Sequence, residues 1–465
     1  MIFPALVIGS GPCGAACFAK LRGLGVDAWM LDPGRGPTEA TLALADQLTR
    51  LPSQRWPVVK IQRNKNGQNL KTWLGDDFST NDDHGVYSTK TALKGSHAFG
   101  GLSWVWGCSV ARWPDLQSFP LGMEAAYDWL DRNVAVAGSG DLSAIARRWQ
   151  TRAEAISNSQ LAMADPRLAV DASRCLRCGM CMGGCPIKAT WVASDWVSTV
   201  APRERVLLGW RVDRVLQHSD HVEVFAVAAD GSPQRWLAKE VFIAAGVSGS
   251  AAIALGSNEA METVRLTDPR YIMGFALVSG HITAGLGEED DHALAKLKLT
   301  DHATGIYWQA YTRMPQTDAI LSMGLPARWA RPLSRRLGIL QGFLSPGSGS
   351  AITVRREGRG FHAEGTFDRN DRSRLRAGLA MLRDQWQNWG AYPLPGAARL
   401  GHAGESQHAG CGLSMGKETD ALGRLPGQPH IHYVDPIVLP KLIAAPHTWT
   451  AMANAARIAE ASRSV

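Results

Sequence analysis

The stretch Ala5-Leu6-Val7-Ile8-Gly9-Ser10-Gly11-Pro12-Cys13-Gly14, followed by a helix pattern and a second run, 26–32, that closes on Asp32, decides the fold. The run before Gly9 is short, apolar and β-branched, as a buried parallel strand should be. Gly9 permits a tight turn, Gly11 lets backbone approach a pyrophosphate, and Gly14 lets the next helix pack on the strand. The helix N-terminus offers free N–H groups and a positive dipole end to that phosphate. Asp32 ends the second strand, where a carboxylate can accept ribose hydroxyls. Gly9, Gly11, Pro12, Gly14 and Asp32 are therefore the residues expected to hold a dinucleotide.

Working outward, 465 residues suit two or three domains with a large core. The 17 tryptophans fit aromatic-lined cavities or thick cores. Lys and Arg exceed Asp and Glu by 7, too mild a bias over this length to argue for nucleic acid. Local basic groups occur at Arg331, Arg335 and Arg336 and at Arg355, Arg356 and Arg359, as a docking face for an acidic protein or as ordinary solvated surface. No run of about 18 apolar residues predicts a transmembrane span. The first strand begins almost at Met1, leaving no room for a cleavable signal. A cytoplasmic protein is the expectation, unless it crosses a membrane with a partner that carries the signal. The 8 cysteines are then thiols or ligands rather than disulfides.

The sharpest local signal is Cys175-Leu-Arg-Cys178-Gly-Met-Cys181-Met-Gly-Gly-Cys185-Pro186. The spacing C-x2-C-x2-C-x3-C-P is the ferredoxin run. Spacings of two bring sulfurs inward from one tight loop, and Gly179, Gly183 and Gly184 allow the bends. Structural zinc sites pair two C-x2-C units across a dozen or more residues, and there is no second pair here. An iron–sulfur cluster of the 4Fe-4S type on Cys175, Cys178, Cys181 and Cys185 is the expectation. Cys108 or Cys411 could replace Cys185 as the fourth ligand; Cys13 and Cys17 read as packing residues.

Helix spacing is seen over 123–131 and 142–161; residues 35–95 are polar and mixed, with long loops expected over 60–75 and 76–85. The patterns over 206–212, 222–228 and 236–241 read as strands, the last running through Phe242-Ile-Ala-Ala245-Gly246 into a helix. Alternating runs over 274–284, 293–299, 305–313, 319–323, 350–355 and 360–366, then a helix over 372–389, predict an antiparallel sheet backed by helices. Near the end come Gly404-Glu-Ser-Gln-His408-Ala-Gly-Cys411-Gly-Leu-Ser-Met415-Gly416, then Tyr433-Val-Asp435-Pro436, then Ala445-Pro-His447. Of the other histidines there, His402, His430 and His432 read as structural.

Taken with Phe99-Gly100-Gly101-Leu-Ser103-Trp-Val105-Trp106-Gly107-Cys108, this order resembles the glucose–methanol–choline (GMC) flavin oxidoreductases. The likeness covers both chain ends and 206–257 well and the middle loosely. It implies an FAD whose flavin and pyrophosphate lie along Gly100, Gly101, Ser103, Trp106 and Gly107. Val105 stands where some relatives link the flavin covalently through His, which implies a non-covalent flavin. The resemblance also places Ala245 and Gly246 near the nucleotide, Val212 on the adenine, and Asp435 and Pro436 at the flavin and ribityl chain. It makes His408 the base near flavin N5 and His447 the partner of the substrate oxygen. Gly-Cys411-Gly stands where many members have Gly-Thr.

The fold class expected is α/β (α+β overall). A Rossmann-like FAD-binding domain is built from 1–120, 201–257 and 401–465. Residues 121–200 form a helical connection with the iron–sulfur insertion, and 258–400 a mostly antiparallel substrate domain. The leading expectation for function is an FAD-dependent dehydrogenase that oxidises a hydroxyl of a sugar, polyol, glycoside or other alcohol. Its electrons leave through the cluster to a one-electron carrier of the ferredoxin or cytochrome type. A ferredoxin-fed flavin reductase acting on a carbonyl or alkene uses the same ligands in reverse. A non-enzymatic flavin protein braced by the cluster is the third reading.

Overall fold

The computed structural model describes residues 2–57, 72–80, 84–88, 90–154, 161–284, 291–312, 336–347, 349–358 and 360–464. The strand expected over 319–323 and the basic residues Arg331, Arg335 and Arg359 lie outside them. No described helix is long and apolar enough to cross a membrane.

The opening stretch folds as read. Strand β1 (Ile2–Ile8) leads through the glycine turn into helix α1 (Pro12–Gly23) and on to strand β2 (Ala28–Asp32). Leu6, Val7, Met30 and Leu31 are fully buried, which is why both strands are apolar throughout. Parallel to β1 on its other side runs β3 (Pro233–Ile243), Ile8 opposite Ile243, and β3 feeds helix α2 (Gly246–Ser257). The strand Ile431–Tyr433 pairs in parallel with the end of β3, bringing the chain's last sixty-odd residues back to its first strand. The C-terminal helix Thr448–Ala461 then packs along α1.

The single strand expected over 206–212 is two. Val206–Leu208 lies parallel to β2, while Trp210–Gln217 forms an antiparallel hairpin with Val222–Ala228 at the far edge. The break is Gly209, at φ +91. A left-handed glycine turns the chain between the two edges of one sheet.

The second sheet is antiparallel, as alternation predicted. Its central strands are β4 (Arg270–Val278), β5 (Leu297–Asp301), β6 (Ile306–Tyr311) and β7 (Leu337–Leu344), in the order β4-β7-β6-β5. Helix Asp371–Asp384 covers it with Leu375, Leu379 and Leu382, the stripe read from spacing. The helix pattern expected to reach 161 is interrupted. Helix Ala144–Glu154 is followed by strand Leu161–Ala164, which buries Leu161 and Met163 on alternate positions and pairs with β5. A smaller sheet joins Thr263–Thr267, Ala351–Glu357, Gly360–Thr366 and Val86–Tyr87. Within the polar stretch 35–95, ahead of the expected loops, helix Glu39–Thr49 forms behind the Thr38 cap, whose side chain accepts from the Thr41 N–H.

Gly9 is among the tightest points of the fold. A Cβ there would lie 2.3 Å from the Ala244 carbonyl oxygen, at φ +96. Gly9→Ala should cost about 1–3 kcal/mol from backbone conformation alone, and more from the clash. At Gly11 a Cβ would meet nothing within 4 Å. Urea unfolding should therefore separate the two: Gly9→Ala strongly destabilised, Gly11→Ala within about 1 kcal/mol of the parent. Equal losses would contradict this packing.

Candidate active site

Three segments meet at the nucleotide turn. The Asp32 carboxylate accepts the Ser10 N–H at 2.7 Å and the Gly34 N–H at 2.7 Å, so it braces the turn itself. Burial pushes its pKa up to about 6, against those two hydrogen bonds. Each oxygen has the capacity to accept a further donor. The Gly14 Cβ position lies 1.9 Å from the Gly9 carbonyl oxygen, so only glycine lets α1 sit this close. The second segment is the short helix Gly101–Trp104. The Gly100 N–H donates to Ser10 Oγ at 2.7 Å, and a Cβ on Gly101 would stand 3.0 Å from the Gly11 Cα. Ser103 Oγ donates to the Gly100 carbonyl at 2.6 Å and accepts the Ala193 N–H at 2.9 Å. Trp106 Nε1, next to Gly107, donates to the Trp191 carbonyl at 3.1 Å. These last two bonds tie the segment to the chain that leaves the cysteine loop.

The third segment comes from the C-terminus. Asp435 is buried; its Oδ2 accepts the Ser250 hydroxyl at 2.5 Å and its Oδ1 the Ile437 N–H at 3.0 Å. Ser250 lies on α2, just past Ala245 and Gly246. Asp435 is also near enough to Cys13, on α1, to help burial raise that thiol's pKa. Ala245 and Gly246 begin α2 directly beside Gly9. Val212 is buried on the hairpin edge of the same sheet. Where a Cβ at Gly11 or at Gly246 would point there is open space.

From Pro436 the site extends to the histidines. The Cys411 N–H donates to the Pro436 carbonyl at 3.0 Å and the Leu413 N–H to Ile437 at 2.9 Å, so 410–415 runs beside 436–438. His408 lies three residues before Cys411. Its imidazole sits 5.0 Å from that of His447 and 4.6 Å from the Phe343 ring on β7, centroid to centroid. The loop is locked from behind by a residue with no motif to flag it, Asp268. This buried carboxylate accepts the Gly404 N–H at 2.7 Å and the Ser406 hydroxyl at 3.1 Å, and Ser406 Oγ in turn accepts the His408 N–H at 3.0 Å. Gln407 and Cys411, on either side of His408, both hold φ +56. Such strain persists only where surroundings over-determine it; here Gln407 is held by the Ala92 carbonyl at 2.7 Å and the Lys94 N–H at 3.0 Å.

His447 is buried, against the backbone of Ala409 and His408, and burial pushes its pKa down to about 4. It is therefore neutral at neutral pH. Tyr271, Tyr307 and Phe343 form an aromatic wall from the second sheet, with Tyr271 reached by Gln341 Nε2 at 3.3 Å. His430 and His432 share Glu240, at 2.8 and 2.9 Å, and His402 is exposed. All three lie outside this pair, as expected.

Cys175, Cys178, Cys181 and Cys185 line one small apolar cavity, together with His292 and Leu294. Arg177 and Gly179, at φ +51 and +75, supply the bends. The Ala189 N–H lies 3.3 Å from Cys185 Sγ as donor. Among the described residues, no group of three or more His, Cys, Asp or Glu side chains is drawn close enough to hold a metal ion. Burial and the mutual proximity of the thiols raise the pKa of Cys181, and burial raises that of Cys175. Neither Cys108 nor Cys411 reaches this cavity. Cys13 and Cys17 are buried in the core.

No protein-family model and no curated protein matches the chain. The parallel sheet that carries the glycine turn and the antiparallel sheet beside it together form a fold shared with a solved structure. The solved structure of pyridoxine 4-oxidase from Mesorbium loti is similar over 100% of this chain and 99% of that chain, with a TM-score of 0.66 at 16% identity.

The depressed pKa of His447 has a stability signature. The native state binds fewer protons here than the unfolded chain between pH 4 and 6.5. The contribution is complete above pH 6.5 and is lost as pH falls toward 4, at about 1.4 kcal/mol per pH unit. Asp32 and Asp268, both pushed up to about 6 by burial, act in the opposite sense. A difference measurement cancels them. The stability of the parent minus that of His447→Asn should fall between pH 7 and pH 4; a difference independent of pH would contradict a buried neutral imidazole.

Proposed function

We propose that the chain is an FAD-dependent dehydrogenase that oxidises a hydroxyl group to a carbonyl. The observation that carries this reading is the His408–His447 pair, 5.0 Å apart and joined through 410–415 and 436–438 to the nucleotide turn. Bound FAD supplies a two-electron acceptor for the hydride from the carbinol carbon. The chain's own task is the hydroxyl proton. His447, neutral and held at low pKa, is suited to orient the substrate oxygen by a hydrogen bond. His408, partly exposed, is left to accept the proton. Asp268 and Ser406 keep its loop in place without touching the substrate. The wall of Tyr271, Tyr307 and Phe343 excludes water and offers a flat face to a sugar, polyol, glycoside or other alcohol.

The cysteine loop supports a second cofactor in the same reading. Four thiols at ferredoxin spacing face one apolar cavity, and Cys175, Cys178, Cys181 and Cys185 are the residues that would hold a 4Fe-4S cluster. Such a cluster supplies one-electron transfer. Ser103 and Trp106 bond to the backbone at Ala193 and Trp191, so the flavin-side segment and the cysteine loop share one short connection. Arg174, Leu176, Arg177 and Lys188 are exposed around the loop, where a ferredoxin- or cytochrome-type carrier could dock.

Anaerobic purification followed by cofactor analysis tests the whole reading. The expected result is one non-covalent FAD and about four irons per chain, with visible flavin absorbance bleached anaerobically by one class in a panel of sugars, polyols and arylmethanols. Cys178→Ser should lose the iron and slow reoxidation by a one-electron acceptor while leaving substrate bleaching intact. Protein without a yellow chromophore would end the flavin assignment, and iron-free yellow protein would end the cluster assignment alone.

A further inference from the structure

Behind the cysteine cavity lies a buried charge cluster that neither the flavin site nor the thiols account for. Lys296 is 0% exposed, and its ammonium lies 3.0 Å from the Asp291 carboxylate. It donates to the carbonyls of Leu294, at 2.9 Å, and His292, and lies 3.1 Å from His292 Nδ1. Asp291 is held in turn by the hydroxyls of Ser143 and Thr312, each at 2.7 Å. The Leu294 N–H also donates to His292 Nδ1 at 3.0 Å, so that nitrogen is an acceptor and the ring proton sits on Nε2, which faces Ser139 Oγ at 3.1 Å. A buried lysine of this kind is expensive, and a hydrophobic pair of similar volume is often as stable. Its position suggests a use. His292 and Leu294, the two residues whose carbonyls it grips, both line the four-cysteine cavity.

Resting on the iron–sulfur reading above, we infer that Lys296 is the residue that sets the reduction potential of the cluster site. Adding one electron to a cluster held by four thiolates raises its negative charge by one, with no bond made or broken. A fixed buried cation favours that reduced state and lifts the potential; charge and burial are among the levers that spread such potentials widely. Asp291 opposes the effect only in part. Lys296 Nζ is bonded to the carbonyls of the two cavity-lining residues, whereas the Asp291 oxygens are taken by the hydroxyls of Ser143 and Thr312. Lys296 is thus a positioning and tuning residue, remote from the substrate.

The test is a potentiometric titration of the full-length holoprotein, reduced with dithionite and followed by electron paramagnetic resonance. Iron is quantified in the same samples. The parent should contain iron, and Lys296→Met should keep its iron while its midpoint falls. A tenfold loss in the ratio of reduced to oxidised cluster would read as about 59 mV for one electron. Asp291→Asn/Lys296→Met, which removes both buried charges, covers the case in which the single variant fails to fold, and its midpoint should also lie below the parent's. Lys296→Arg, keeping the charge, should restore most of the shift. Iron-replete variants with the parent's midpoint would overturn the inference while leaving the cluster reading intact. A parent with no iron would overturn both.

Discussion

The pairing of Ile431–Tyr433 with the end of β3 is the constraint on which the rest depends. That register places Asp435 where β3 gives way to α2, within reach of Ser250 and beside Cys13. Everything chemical follows along the chain from there. Pro436–Val438 becomes a rail for 410–415, the rail fixes His408, and the segment past Ala445 swings His447 against it. Gly9 and His408, 399 residues apart in sequence, are thereby linked through one run of contacts.

The polar groups that hold this arrangement are buried and satisfied. Asp268 stitches the loop before His408, Asp32 stitches the glycine turn, and Asp435 stitches the join between them. Each is a carboxylate taking backbone or hydroxyl donors, which stiffens a loop more than an apolar contact of the same area can. Burial draws a proton affinity up at Asp32 and Asp268 and pushes one down at His447.

Much of this was legible in the sequence where the signal is local. The β1–turn–α1 unit, the alternating strands of the second sheet and the leucine stripe of Asp371–Asp384 each carry their periodicity in a dozen residues. The two histidines were legible as an ordered motif. Other features were not, for physical reasons. Gly209 looks like any glycine in an apolar run until it is seen to send its two flanking strands to opposite edges. Helix Glu39–Thr49 has a weak apolar face within a polar region; only the Thr38 cap and Leu44, Ala45 and Leu48 could have announced it. Asp268 acts across about 140 residues, and Lys296 is one lysine among many until its burial is known. Long-range partners of this sort leave no trace in spacing.

The central claim is that an imidazole from the far end of the chain serves a flavin held by the near end. Anaerobic rapid mixing of flavin-loaded protein with its best bleaching alcohol tests it most directly, comparing the parent with His408→Gln. The account predicts unchanged flavin content and a rate constant for bleaching reduced by about 10²–10⁴-fold, with the reduction shrinking at high pH, where more of the alcohol is already ionised. A His408→Gln protein that bleaches at the parent's rate would contradict it.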